Sequence, residues 1–250
     1  MTGTDQDAMS AHASSVRWQV EPEFERLIER TATWLTAALA RGGSAALPGG
    51  RTPRALCRAL ASFDLPWPGI TLVATDERWV DDNATDSNEG MFRRELLAAL
   101  DHPPHLVSLK ADAATPAAAV AQIRPRLAHA FPAEFDAVLL GMGDDGHVAS
   151  LFPGAPLDDP AAPGAACLAA LHPQSGQPRM SLSLDRLLRT RALALLVSGA
   201  SKRTVVEGAQ RAMRSPPAAG ELPVTALLRG ARTHRLPVQV FWSPVDPPAR

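Results

Sequence analysis

Two short runs of this chain, Ala137–Leu140 and residues 192–197, contain no polar side chain. A strand with one face in water alternates apolar and polar residues, so runs without that alternation belong to strands covered on both faces. The requirement selects a parallel sheet packed between helices, and the rest of the chain supplies the matching order of elements.

Val16–Val20 reads as an edge strand. Pro22 opens a helix whose apolar positions, Phe24, Leu27, Ile28, Trp34, Leu35, Ala38 and Leu39, recur at helical spacing until Gly42-Gly43 ends it. Further strands are expected at 45–47, 70–74, 106–109, 167–171, 179–182 and 238–242. They alternate with helices at 54–61, 88–100, 116–131, 185–190, about 200–211 and 223–229. Ser87 is placed to cap the 88–100 helix, and Pro125 to kink or divide the 116–131 helix. The expected fold is α/β, three-layered, with a mostly parallel sheet and helices on both faces. No repeat or linker divides it, so residues 16–250 read as one domain behind a flexible tail over 1–15.

A chain of 250 residues, 46% hydrophobic, can bury a core of that size. With 25 basic and 26 acidic residues and scattered arginines, it has no field to recruit nucleic acid or an anionic membrane. Cys57 and Cys167 lie far apart and in no metal-ligand spacing, which fits a reducing cytoplasm. No signal-like leader and no apolar run of about 18 residues is present, so a soluble cytoplasmic protein is expected.

The chemistry concentrates where the first apolar run ends. Gly141, Gly143 and Gly146 free the backbone for a tight turn, while Asp144, Asp145 and His147 place titratable groups just past the strand. In an open parallel sheet that end faces the ligand, and histidine suits general base work near neutral pH. Gly141-Met-Gly-Asp-Asp-Gly146 also matches a dinucleotide fingerprint. The context argues against it: Pro153 and Pro156 stop the helix it should open, and paired carboxylates repel a pyrophosphate.

A second turn, Gly49-Gly50-Arg51-Thr52-Pro53, runs from a short strand into a helix. Free N–H groups and the helix dipole make it an anion site, with the Thr52 hydroxyl and the Arg51 charge to hand. Read blandly, it is an ordinary strand-to-helix turn without the Lys-Ser/Thr of a nucleotide loop. Asp76, Glu77 and Arg78 follow another strand and line the pocket or form a solvated cluster. Lys202 starts a helix beside a strand end in a chain with 23 arginines and two lysines, a compact point charge suited to one phosphate oxygen. His102 and His105 straddle prolines and read as loop surface, and no metal site is expected.

In order, Gly49-Gly-Arg-Thr-Pro53, Asp76-Glu-Arg-Trp-Val80 with Asp86-Ser-Asn88, the 141–153 stretch, Pro178-Arg179, Gly199-Ala-Ser-Lys202 and Pro223 resemble the 6-phosphogluconolactonase family, relatives of glucosamine-6-phosphate deaminase. The Asp-Gly-His-Val-Ala-Ser-Leu-Phe-Pro run is the most specific of these. The chain departs from the family pattern at Pro48, Arg51, Asp81 and Val148. The resemblance implies a Rossmann-like fold of the sugar-phosphate isomerase/deaminase type. It also implies hydrolysis of 6-phospho-D-glucono-1,5-lactone to 6-phosphogluconate, in the oxidative pentose phosphate route, without metal or organic cofactor. His147 then activates water, with Asp76, Asp144 or Asp145 orienting it. Backbone N–H groups of the glycine loop around Gly143, or a nearby cation, meet the oxyanion. Gly49, Gly50, Arg51 and Thr52 hold the phosphate, with Arg78, Arg179 and Lys202 as candidate cations. A monomer or weak homodimer is expected. The rivals are a deaminase or isomerase acting on a sugar phosphate such as glucosamine 6-phosphate, and a non-catalytic sugar-phosphate-binding protein.

Overall fold

The structure, a computed structural model, describes residues 16–248. The expected tail at 1–15 lies outside the described residues. The first half of the chain forms β1 (Val16–Val20), α1 (Phe24–Ala38), β2 (Gly43–Leu47), α2 (Arg51–Leu60), β3 (Ile70–Ala74), β4 (Asp76–Arg78), α3 (Asn88–Glu95), β5 (His105–Val107) and α4 (Pro116–Ala130). The second half forms β6 (Ala137–Leu140), β7 (Cys167–Leu171), β8 (Pro178–Leu182), α5 (Leu184–Leu188), β9 (Leu193–Ser198), α6 (Ala200–Ala212), α7 (Pro223–Thr233) and β10 (Val238–Ser243).

Seven strands form one sheet in the order β1-β10-β9-β6-β2-β3-β5, and every neighbouring pair is parallel. The two apolar runs became β6 and β9, buried at every residue. Helices α1, α2 and α3 pack on one another, α5 and α6 pack on α7, and β9 touches both α2 and α6. Each fully buried leucine of these strands contributes roughly 1.5–3 kcal/mol by leaving water, which fixes the strands at the centre.

The winding sets where a ligand can enter. From β2 the chain steps outward through β3 to β5, then returns to pair β6 on the other side of β2 and continues through β9. Connections leaving β2 and β6 therefore part in opposite directions, opening a crevice at their carboxyl ends.

Beside this sheet stands a smaller antiparallel one, β4-β8-β7, which the sequence pattern did not announce as a unit. Thr75 joins the two: its N–H donates to Leu47 O, and its carbonyl accepts from Leu182 N, both at 2.9 Å. Asp76–Arg78, read from sequence only as a charged run past the end of β3, is thus a strand.

Other boundaries differ for local reasons. Helix α2 starts at Arg51 rather than residue 54, because Pro53 is tolerated in a first helical turn. Helix α3, capped as expected by Ser87 Oγ accepting from Gly90 N, stops at Glu95 and passes into a 3₁₀ turn. Pro125 does not divide α4; it and Ala121, whose carbonyl loses its partner, both face solvent.

Candidate active site

The crevice between β2 and β6 holds a cavity of about 260 Å³. Gly49, Gly50, Arg51 and Thr52 line it from the β2–α2 turn, and Gly143 and His147 from the loop after β6. Asp76, Arg78 and Arg179 enter from the small sheet, and Lys202 from the first turn of α6. Glu77, Asp144 and Asp145, also singled out in the sequence, are not in the lining, and Asp145 instead touches His147.

The loop after β6 folds back through a Met142–Val148 bridge, with Gly143 N donating to His147 O at 3.0 Å. His147 Nδ1 lies 2.6 Å from Asp145 Oδ1, which also accepts the His147 backbone N–H at 3.1 Å. An ionised carboxylate only accepts, so Nδ1 carries the proton and Nε2 is the nitrogen left bare in the neutral form of the ring. Partial burial by itself raises the Asp145 carboxyl. The His147 backbone N–H, the nearby imidazole charge and the ring hydrogen bond outweigh it, leaving Asp145 below its ordinary value. The sign follows from that depression: the dyad's contribution to stability is present above the ordinary Asp range and is lost as pH falls through the lowered value.

Backbone geometry holds the ring in place. A Cβ on Gly143 would overlap the His147 imidazole, so any larger residue displaces the ring. Phe152 packs beside the ring with centroids 5.0 Å apart. Ala149 takes a left-handed φ of 51°, an uncommon conformation for a non-glycine residue, within the cavity wall.

Asp76 is not the partner of the imidazole. Its Oδ2 accepts from Ser150 Oγ at 2.5 Å and Arg179 Nη1 at 3.4 Å, and its Oδ1 from Asn88 Nδ2 at 3.3 Å. Asp144 is taken as well, accepting from Ser201 Oγ at 2.7 Å. Only Asp145, of the three carboxylates open in the sequence reading, meets His147.

Two helix N-termini converge on the same cavity. Gly50, the N-cap of α2 with φ 108°, gives no side-chain cap, and Gly199, the N-cap of α6 with φ 85°, gives none either. Their first-turn N–H groups stay available to an anion, each helix adding its positive dipole end. The approach is close at Gly49, where a Cβ would overlap Asn88.

The cations differ in how they are held. Arg179 is buried and pulled down from its ordinary value, first by that burial, against which Asp76 pushes it up. Arg78 Nη1 donates to Asp86 O at 2.6 Å, while its buried Nε has no partner. Glu77, the unassigned member of the cluster, is fully buried and structural. It accepts the backbone N–H groups of Asn88 and Glu89 at 2.9 and 2.6 Å and so pins the start of α3 against β4. Burial raises its pKa, which those two N–H bonds partly oppose.

Asn88, Ser198 and Asp246 also line the cavity and were not singled out from sequence. Asn88 carried a usable signal, since it follows the Ser87 cap inside a family-like run. Asp246 sits just beyond the last strand's carboxyl end, the position that marked the other site segments. No group of three or more His, Cys, Asp or Glu among the described residues is placed to hold a metal, and no described helix is long and apolar enough to cross a membrane.

A bare imidazole nitrogen backed by a carboxylate thus shares one cavity with two uncapped helix ends. That arrangement can deprotonate water at one end while holding an anion at the other. Among known proteins, a family model described as glucosamine-6-phosphate isomerases/6-phosphogluconolactonase matches residues 22–236. The chain is 36% identical to a 6-phosphogluconolactonase of Caulobacter vibrioides, over 84% of this chain and 88% of that one. It is 34% identical to one of Mesorhizobium japonicum, over 93% and 98%. A solved 6-phosphogluconolactonase structure from Shewanella baltica superimposes with a TM-score of 0.83 at 28% identity, covering 92% of this chain and 99% of that one.

Proposed function

The chain belongs to the glucosamine-6-phosphate isomerase/6-phosphogluconolactonase family, and from that premise we propose a mechanism in which the Asp145–His147 pair hydrolyses the lactone. The protein is a 6-phosphogluconolactonase: it converts 6-phospho-D-glucono-1,5-lactone to 6-phosphogluconate in the oxidative pentose phosphate pathway. The observation that carries the mechanism is the 2.6 Å contact that leaves His147 Nε2 bare inside the anion-binding cavity.

Water is a weak nucleophile. Nε2 takes its proton as the water oxygen attacks the lactone carbonyl carbon, and Asp145 stabilises the imidazolium that forms. The tetrahedral intermediate collapses by breaking the bond to the ring oxygen, which receives the proton from Nε2. The new carboxylic acid then ionises. N–H groups of the glycine loop around Gly143, or a neighbouring cation, oppose the charge on the carbonyl oxygen. At the far end Gly49–Thr52 and Lys202 hold the phosphate, with Arg51, Arg78 and Arg179 supplying further positive charge. The described residues work as one domain, in the cytoplasm, as a monomer or weak homodimer. The direct test follows acid release from freshly generated lactone against its spontaneous hydrolysis; no acceleration by pure protein would overturn the reading.

Asp145→Asn is expected to lower kcat by about 10²-fold or more, since an amide can donate to Nδ1 and favour the wrong tautomer. Because Asp145 is held below its ordinary value, it stays ionised through the assay range and does not set the acid limb of the parent's pH–rate profile. Parent-like turnover in the folded variant would remove Asp145 from the mechanism.

The related deamination makes a different demand. Isomerising an amino sugar with loss of amine moves protons between carbons, which calls for a carboxylate beyond the ring-opening histidine. In the deaminases a glutamate follows the histidine closely, whereas here Ala149-Ser-Leu-Phe-Pro153 follows, with Leu151 and Phe152 buried. No ammonia is expected from glucosamine 6-phosphate. Enzyme-proportional ammonia release, abolished on replacing His147, would move the chain to the deaminase branch.

A further inference from the structure

Beyond β10 the chain returns over the cavity, and Asp246 and Pro247 form part of its wall. Asp246 Oδ1 accepts from Ser198 Oγ at 3.0 Å. Its carboxylate also lies 3.1–3.5 Å from where a Cβ on Gly199 would stand, and Gly199 is the N-cap of α6. A carboxylate of the chain itself therefore stands beside the positive end of a helix, in the part of the cavity that the proposed mechanism gives to the phosphate.

The balance of charge gives this position meaning. Asp76 and Arg179 pair with each other. The remaining ionic side chains in the wall, His147 aside, are Arg51, Arg78 and Lys202 against Asp246, three positive charges less one, which leaves two, the match for a phosphate dianion. Without Asp246 the wall carries three. A like charge in the same wall repels the phosphate on substrate and product alike, and a uniform effect of that kind changes KM without lowering the barrier to reaction. We infer that Asp246 tunes phosphate binding: it weakens the hold on the phosphate group and so speeds release of the phosphorylated product. The inference rests on the lactonase reading above.

Asp246→Asn tests it, since the amide oxygen still accepts from Ser198 while the charge is gone. KM for the phosphorylated lactone and the inhibition constants of 6-phosphogluconate and inorganic phosphate are each expected to fall about tenfold at low salt. In roughly 0.5 M salt the gap between variant and parent should shrink, because screening acts on charge and not on shape. Unchanged or weaker binding of the three anions overturns the inference, as does a gain indifferent to salt. Should the asparagine variant be unstable, Asp246→Glu keeps the charge and is expected to retain parent-like constants; a tenfold tighter grip on phosphate there also overturns it. The two levels of failure are distinct: a parent that does not hydrolyse the lactone defeats the proposed function, whereas equal constants in two active enzymes defeat only the role of Asp246.

Discussion

Replacing His147 with alanine is expected to lower kcat by about 10²–10⁴-fold, the range that a lost general base removes. The loss should come with little change in thermal stability. The ring is partly exposed, its polar contact is with the surface residue Asp145, and the loop around it is held by backbone bonds that alanine keeps, such as Gly143 N to His147 O. The measurement is kcat on freshly generated lactone, corrected for spontaneous opening, alongside a melting curve. A folded variant with near-parent turnover would strip His147 of its role. A variant that loses turnover only because it unfolds would show that the loop depends on the ring for packing against Phe152.

The second large effect concerns the substrate. Unphosphorylated gluconolactone is expected to react with a kcat/KM at least about 10²-fold lower, since two or three charge-assisted hydrogen bonds of roughly 1.5–3 kcal/mol each disappear together. The loss reaches the reacting carbonyl as well as binding, because the phosphate end fixes where the ring lies relative to Nε2. Lys202→Met should reproduce part of that penalty, about 10-fold to 100-fold with the phosphorylated lactone, and leave the unphosphorylated one nearly unaffected. Equal damage to both substrates would place Lys202 at the reacting carbonyl or in the fold itself.

Much of this architecture was legible because it rests on local rules. Ala137–Leu140 and the run that became Leu193–Ser198 declared a two-faced parallel sheet by composition, and the sheet is parallel throughout. Gly49–Thr52, His147 and Lys202 were legible because each stands at a strand's carboxyl end or a helix start, positions set by topology. The small antiparallel sheet was not, since Asp76–Arg78 is three charged residues with no alternation, and it becomes a strand only by pairing with Pro178–Leu182 a hundred residues later. The choice between Asp144 and Asp145 was closed to sequence for a similar reason. The two are adjacent and alike, and only the way the loop turns through Gly146, at φ 82°, sends one toward the imidazole and the other toward Ser201.

Thr75 marks the border between two contributions to the cavity. The large sheet brings His147 and the uncapped helix ends; the small sheet brings Asp76, Arg78 and Arg179. Each contribution hangs on its own ladder of backbone bonds, and Asp76 and Ser181 tie the two together by holding Ser150 of the loop after β6, which leaves Arg78 as the side chain that can be exchanged without touching that loop. A lineage built on this frame can therefore explore new sugars at small-sheet positions such as Arg78, while Asp76 and Ser181 keep the His147 loop in place. Inherited change in what such proteins accept should gather in the small sheet, and change in what they do to it should gather in the loop after β6.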